Sequence, residues 1–163
     1  MPLTRRQLLA RLEELGIVAV TVEHEPVFTV EQSTELRETL PGAHTKTLFL
    51  DDRDGHLVLV AVKDDTRVNL KTLSKRLGTG RFSFGKAELL AEVLGVTPGS
   101  VTPFALINDR CRHVTAVVDA TLLKFDEVNF HPLENTATTR IATRDLIRFI
   151  EACGHKPQIL PLD

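Results

Sequence analysis

The chain has 163 residues, of which 42% are hydrophobic and 26% are charged, and its formal net charge at pH 7 is −2. This composition is typical of an ordinary globular protein and not of a disordered tail or a membrane span. No apolar run approaches the roughly 18 residues of a membrane-spanning helix, and the amino terminus alternates charge with leucine instead of resembling a signal peptide. We expect one cytoplasmic domain over residues 1–163.

The amino-terminal segment predicts a helix followed by a strand. Leucines recur at helical spacing, Thr4 and Gln7 have the spacing of a capping box, and Gly16 supplies a stop signal. The segment "IVAVTVEHE", residues 17–25, is apolar and rich in β-branched residues, so it predicts the first strand.

A short helix and a hairpin are predicted next. Thr29 and Gln32 repeat the capping-box spacing ahead of a helix through Leu36. The segment "TLFLDDRDGHLVLVAV", residues 47–62, contains two apolar runs around an Asp-Gly turn and predicts an antiparallel hairpin. Lys46 is therefore expected at the mouth of the first hairpin strand.

The second half of the chain continues to alternate helices and strands. Asn69 is a candidate cap for a helix that ends at Gly78, and a second helix is predicted over residues 86–94. Residues 104–107, "FALI", and 113–120, "HVTAVVDA", have the composition of strands.

The carboxyl-terminal third predicts extended chain on both sides of His131 and Pro132, then a helix from Thr143 to Cys153 that is stopped by Gly154. Helices and hairpin-like strands interleave without a regular strand-helix-strand rhythm. The pattern favours a mixed, mostly antiparallel α+β fold over a doubly wound sheet.

Positive charge is concentrated between residues 63 and 86. This segment carries seven cations against two acids, a local excess of +5 in a chain of net charge −2. Such a segment is either a solvated helix face or a surface that contacts phosphates. The seven cations are Lys63, Arg67, Lys71, Lys75, Arg76, Arg81 and Lys86.

The common catalytic signatures are missing from the sequence. Ser100 lies in "PGSVTP", which lacks the second glycine of a nucleophile elbow, and no Walker loop, GxGxxG or HExxH is present. Cys111 and Cys153 form no CxxC and have no metal-ligand spacing to a histidine, so the sequence predicts no metal. His131, held in an extended path by the following proline, is either a structural or a functional residue.

The segment "GSVTP", Gly99 to Pro103, is either a plain turn or an amide-lined loop. Pro103 has no amide hydrogen and Gly99 tolerates unusual backbone angles, so the amides between them could point into a cavity. Amides arranged in this way can bind an oxyanion.

Four stretches together resemble the YbaK-like aminoacyl-tRNA editing family, and within it the freestanding prolyl-tRNA editing proteins. They are "PGAHTKTLFL", "GRFSFG", "LGVTPGSVTPFALIND" and "VNFHPLENTATT", and they extend from residue 41 to residue 139. The resemblance implies the fold of that family, a curved and mostly antiparallel sheet flanked by helices. It also implies a hydrolase that removes alanine from mischarged tRNA for proline, with no cofactor.

The resemblance assigns roles to individual residues. In this family a lysine at the position of Lys46 is essential, a loop matching Gly99 to Pro103 lines the reaction centre, and a histidine matching His131 borders the amino-acid pocket. The implied oxyanion donors are the amides of Gly99, Ser100 and Val101. The family is thought to use a ribose hydroxyl of the substrate to orient water, which accounts for the missing protein nucleophile. Family members often have asparagine after the lysine, whereas this chain has Thr47.

The resemblance defines the substrate and the partners less closely than the type of reaction. Related families remove cysteine, so deacylation of cysteinyl or seryl tRNA is an alternative, and a tRNA-binding module without catalysis is another. The expected partners are tRNA for proline charged with alanine and prolyl-tRNA synthetase, while the oligomeric state is left open. The cations expected to contact tRNA are Lys71, Lys75, Arg76 and Arg81.

Overall fold

The structure is a computed structural model that describes residues 2–26 and 40–162. Within these residues the helices are α1 (Arg5–Glu14), α2 (Leu70–Leu77), α3 (Ala87–Leu94) and α4 (Thr143–Ala152). The strands are β1 (Ala19–Glu23), β2 (Ala43–Asp51), β3 (Leu57–Lys63), β4 (Ser83–Phe84), β5 (Val114–Asp119), β6 (Glu127–Phe130), β7 (Ala137–Ala142) and β8 (Gln158–Leu160). Short 3₁₀ helices occupy Pro98–Ser100, Pro103–Asn108 and Ala120–Lys124.

The strands form one mixed sheet in the order β1-β7-β6-β2-β3-β5-β8, and β4 pairs with β2 beside this path. In the described part of the chain, four pairings are antiparallel, β1–β7, β2–β3, β2–β4 and β6–β7. Three are parallel, β2–β6, β3–β5 and β5–β8. The predicted α+β class is confirmed, and antiparallel pairs form a narrow majority.

The capping box at the start of α1 is confirmed. The Thr4 hydroxyl accepts a hydrogen bond from the Gln7 amide at 3.2 Å, and Gln7 Oε1 accepts one from the Thr4 amide at 2.9 Å. The strand predicted over residues 17–25 is β1. The second capping box, Thr29 with Gln32, and the helix expected through Leu36 lie outside the described residues.

The hairpin of β2 and β3 is confirmed, and a buried carboxylate holds its turn together. Asp52 Oδ1 accepts hydrogen bonds from the amides of Asp54 and His56, both at 2.9 Å, and Oδ2 accepts one from the Gly80 amide at 3.0 Å. His56 Nδ1 also donates to Oδ2, at 2.5 Å. Burial alone would raise the pKa of Asp52, but these hydrogen bonds outweigh it and lower the pKa to about 2.

Two local predictions are wrong. Residues 104–107 form part of a 3₁₀ helix instead of a strand, because Pro103 starts the turn and the Thr102 hydroxyl accepts a hydrogen bond from the Phe104 amide at 3.3 Å. Lys46 lies inside β2 instead of at its mouth. The strand starts earlier because Ala43 and its neighbour pair with β6, a contact that the local sequence does not reveal.

Apolar residues form two clusters on opposite faces of the sheet, since neighbouring strand residues alternate between them. The larger core contains buried residues of α1, α3 and α4, such as Leu8, Leu90 and Phe149. The smaller cluster joins Leu73 of α2 to β2, β3 and β5. No helix in the described residues is long and apolar enough to cross a membrane.

Candidate active site

The sheet opens between β2 and β6. These parallel strands pair over only two residues each, Ala43–His44 with Val128–Asn129. At its other end β2 pairs with β4, where Leu50 lies opposite Phe84. Between these contacts, residues 45–48 of β2 face no partner strand on that edge among the described residues. This gap is where the chain could admit a ligand to the sheet.

Lys46 and His131 lie at the same level of this gap. Each stands two residues beyond the last paired residue of its strand, and alternation places both side chains on the face away from the larger core. Lys46 is half-buried and forms no hydrogen bond or ion pair with any residue in 2–26 or 40–162. A half-buried ammonium without a partner is available to an anionic or hydroxyl-bearing ligand.

The environment of His131 fixes its tautomer. The Nδ1–H donates to the Ala137 carbonyl at 3.1 Å, which leaves Nε2 as the nitrogen with the free lone pair. Burial lowers the pKa of His131, the Ala137 hydrogen bond opposes this effect, and nearby His24 lowers the pKa further. The ring is therefore neutral at physiological pH, and Nε2 can accept a hydrogen bond.

His24 is a part of the site that the sequence did not reveal. Its ring centroid lies 6.4 Å from that of His131. Its Nε2 accepts a hydrogen bond from the Thr138 hydroxyl at 2.8 Å, and its Nδ1–H donates to the Glu25 carbonyl at 2.8 Å. The sequence signal for it was a histidine near the end of the strand predicted over residues 17–25. Beside it lies an open cleft of about 500 Å³ lined by Glu23, His24, Glu25 and Thr136.

The loop from Gly99 to Pro103 lies against the turn that follows His131. A Cβ built on Gly99 would lie 3.2 Å from Asn135 Nδ2, and the rings of Phe104 and Phe130 meet edge to face at 6.0 Å. Gly99 does not have a positive φ. A larger residue at this position would therefore meet Asn135, and would not be strained by a left-handed backbone.

The three expected oxyanion amides are not equivalent. The Ser100 amide donates to the Thr97 carbonyl at 2.9 Å inside the 3₁₀ turn, so it is already occupied. The amides of Gly99 and Val101 have no backbone acceptor within the described ranges. Of the three expected oxyanion donors, only Gly99 and Val101 therefore have an amide without a backbone acceptor in the described residues.

Arg5 ties the turn after His131 to the start of α1. Its Nη2 lies 2.7 Å from Glu23 Oε1, and its Nε lies 3.3 Å from Glu134 Oε1. Glu134 Oε1 also accepts a hydrogen bond from the Thr136 hydroxyl at 3.1 Å. These contacts connect the segment between His131 and Thr136, which carries Asn135, to α1 and β1.

The two other predicted pocket residues are Thr47 and Pro103. Thr47 pairs with Ala61 and projects toward the larger core, whereas Lys46 projects away from it. Pro103 is buried at the start of its 3₁₀ helix. A ligand that contacted both Lys46 and Thr47 would have to lie in the gap itself, where both faces can be reached.

The predicted tRNA-contacting cations lie at the surface. All four are exposed, and α2, which carries three of them, packs through Leu73 on the face that also bears Lys46. The guanidinium of Arg76 donates to the Pro161 carbonyl at 2.8 Å, which holds this side chain in place. The four cations are Lys71, Lys75, Arg76 and Arg81.

No group of three potential metal ligands occurs in the described residues.

The sequence profile of the aminoacyl-tRNA editing domain matches residues 24–149, which include every part of the gap described above. The chain belongs to this family.

Curated relatives and solved structures agree with this assignment. The chain is 40% identical over 161 residues to Prolyl-tRNA synthetase associated domain-containing protein 1 of Danio rerio, covering 98% of this chain and 88% of the relative. It is 34% identical over 153 residues to the Prolyl-tRNA editing protein ProX of Acetoanaerobium sticklandii, covering 93% of each.

A more distant relative and a solved structure extend the comparison. The Multifunctional Ser/Thr-tRNA deacylase ProXp-y of Escherichia coli K12 is 27% identical over 158 residues, covering 90% of this chain and 92% of the relative. The crystal structure of a protein proposed to be a trans-editing enzyme for prolyl tRNA synthetase superposes with a TM-score of 0.75. The two chains are 21% identical, and the alignment covers 98% of this chain and 96% of the other. At this identity the likeness shows the fold.

Proposed function

We propose that the chain is a single-domain trans-editing hydrolase that removes alanine from mischarged tRNA for proline. The observation that carries the proposal is the gap between β2 and β6, which Lys46 and neutral His131 border, while the Gly99 loop packs against the turn that follows His131. A hydrolase of an activated ester needs a place for the ribose, a donor for the oxyanion and a wall around the amino acid. We assign these tasks to Lys46, to the amides of the Gly99 loop and to His131, in that order.

Each group has a separate task. Lys46 binds the ribose or phosphate end of the terminal adenosine as a point charge. The amides of Gly99 and Val101 face the carbonyl oxygen and stabilise the negative charge that develops as water attacks. A ribose hydroxyl of the substrate orients that water, so no protein nucleophile takes part. His131, with Nε2 free, forms one wall of the amino-acid pocket.

The need for such an enzyme follows from binding energies. A site built for proline cannot strongly reject the smaller alanine, because each missing methylene is worth only about 1–3 kcal/mol. A second and smaller pocket can accept alanine and exclude proline by steric overlap. We assign the wall of this pocket to His131, whose ring is held by the Ala137 carbonyl, and to the turn that Arg5 contacts through Glu134.

Deacylation of a different small residue is the second candidate function. The relative from Escherichia coli is named as a Ser/Thr-tRNA deacylase, and its likeness covers 90% of this chain. Cysteine is a further possible substrate by resemblance to related families. A tRNA-binding module without catalysis is an alternative, but a pure binder does not require a loop with free amides. Prolyl-tRNA synthetase is the proposed protein partner.

The first test is a deacylation panel with alanyl, seryl, threonyl, cysteinyl and prolyl tRNA. We expect the highest kcat/KM on alanyl tRNA for proline and no hydrolysis of prolyl tRNA. A preference for seryl or threonyl tRNA would support the second candidate. Binding of tRNA without hydrolysis of any ester would support the non-catalytic module.

The second test is Lys46→Ala. We expect hydrolysis to fall by orders of magnitude with little change in Tm, because the Lys46 ammonium holds no described partner in the fold. Lys124→Ala, which removes an exposed lysine from a 3₁₀ helix elsewhere, is the matched control. Near-normal turnover of Lys46→Ala would refute the role given to its charge.

A further inference from the structure

Phe84 is an aromatic side chain that the proposed mechanism does not use. It is 65% exposed, although an aromatic ring of this size gains by burial. It lies on β4, which pairs with β2 through two residues only. Phe84 is therefore exposed because its short strand lies at the edge of the folded sheet.

The backbone under Phe84 is held firmly. Phe84 pairs with Leu50, and the next amide, that of Gly85, donates to the Phe49 carbonyl at 2.8 Å. A Cβ built on Gly85 would lie 2.3 Å from the Phe49 ring, so the chain passes directly over that ring. Phe84 is thus presented to solvent from a fixed position.

Phe84 and Lys46 project from the same face of the sheet. Directly opposed residues of an antiparallel pair share a face, so Phe84 lies on the face of Leu50, and alternation along β2 places Lys46 there as well. Four residues of strand and one strand spacing separate their Cα atoms by about 14 Å. A stacked single strand rises roughly 3.4 Å per nucleotide, so this distance corresponds to about four nucleotides.

Two exposed cations, Arg81 and Lys86, flank Phe84 in the chain, while Asp51 pairs with the neighbouring Ser83. Neither cation forms an ion pair with a residue of the described ranges. An exposed aromatic ring between free cations is the arrangement by which proteins bind single-stranded nucleic acid, through base stacking and phosphate contact.

We infer that Phe84, Arg81 and Lys86 form a stacking platform for the single-stranded 3′ end of tRNA. The occupant follows from the charge, the aromatic surface and the spacing to Lys46, which matches the unpaired end of an acceptor stem. The inference rests on the proposed function, since it takes Lys46 as the site of the terminal adenosine. Bases upstream of that adenosine stack on Phe84, and the two cations contact the phosphates beside them.

The test measures binding of uncharged RNA to the full chain. One probe is an RNA hairpin with a single-stranded ACCA 3′ end, and the other is the same hairpin with a blunt end. We expect Phe84→Ala to weaken binding of the tailed hairpin by about 5- to 150-fold, the range for loss of one stacked base, and to leave the blunt hairpin unaffected. Phe84→Tyr should retain affinity, because it keeps the ring. Leu123→Ala, which trims another exposed apolar side chain, is the control.

Equal binding of the tailed hairpin by wild type and Phe84→Ala would overturn the platform. An equal loss on both hairpins would also overturn it, since a platform for the 3′ end has no contact with a blunt stem. A change of oligomeric state in Phe84→Ala with unchanged RNA binding would identify Phe84 as a protein contact instead. Because the probes carry no amino acid, failure of the chain to deacylate any tRNA would not alter these outcomes, so the two proposals can fail separately.

Discussion

Gly99→Ala tests whether the loop beside the gap supplies oxyanion donors. The new Cβ would lie 3.2 Å from Asn135 Nδ2, so one of the two groups must move by a few tenths of an ångström. The backbone at Gly99 has no positive φ, and alanine therefore adds no conformational strain. Crowding of Asn135 by the new methyl group should lower the free energy of unfolding by about 1 kcal/mol. Alanine also reduces the conformational entropy of the unfolded chain, which should raise the free energy of unfolding by about 0.4–1 kcal/mol and offset most of this loss.

The expected signature is a large loss of activity in a protein of almost normal stability. The free energy of unfolding should change by less than about 1 kcal/mol, or about 2–4 °C in Tm for a chain of this size. Displacement of one oxyanion donor should lower kcat by about 10²- to 10³-fold. The measurements are kcat/KM for deacylation and a thermal melt of each variant.

Asn135→Ala supplies the matched second variant. If the new methyl group acts by pushing against Asn135, the double variant Gly99→Ala/Asn135→Ala should recover much of the activity lost in Gly99→Ala, as a non-additive cycle. Full activity of Gly99→Ala would refute the oxyanion role of the loop. A loss that Asn135→Ala does not relieve would show that the two residues are not coupled in this way.

Three further predictions concern other parts of the molecule. His131→Ala should enlarge the pocket and raise activity on seryl and prolyl tRNA relative to alanyl tRNA, and an unchanged ranking in the deacylation panel would contradict this. Neutralising each predicted tRNA-contacting cation should lower the slope of log affinity against log salt by about 1, whereas Lys124→Ala should leave the slope unchanged. These cations are Lys71, Lys75, Arg76 and Arg81. The folded-state pKa of Asp52 is about 2, below the unfolded value of about 3.9. Its contribution to stability is therefore complete above about pH 4 and is lost as pH falls toward 2. Thermal melts from pH 2 to 7 should show that Asp52→Asn has a lower Tm than the wild type at neutral pH, and that its Tm falls less as the pH is lowered. Parallel curves of Tm against pH for the two proteins would argue against this.

The sequence by itself determined those features that depend on a few neighbouring residues. The capping box of Thr4 and Gln7 formed as predicted because both hydrogen bonds close within one turn. The hairpin turn formed because Asp52 reaches the amides two and four residues ahead. The stop at Gly78 lies in the left-handed region that glycine adopts without strain. The family could also be recognised, since its motifs are read along the chain.

The tertiary structure decided how the predicted site residues meet. Lys46 and His131 are separated by 85 positions in the sequence, and only the pairing of β2 with β6 brings them to one gap. The same pairing extended β2 beyond its predicted start. The rings of His24 and His131 lie close together because β1 and β6, the strands that precede them, pair with the two edges of β7. Such contacts depend on which strands pair and in what register, and register is fixed by burial of one face of the whole sheet, a property that no local pattern encodes.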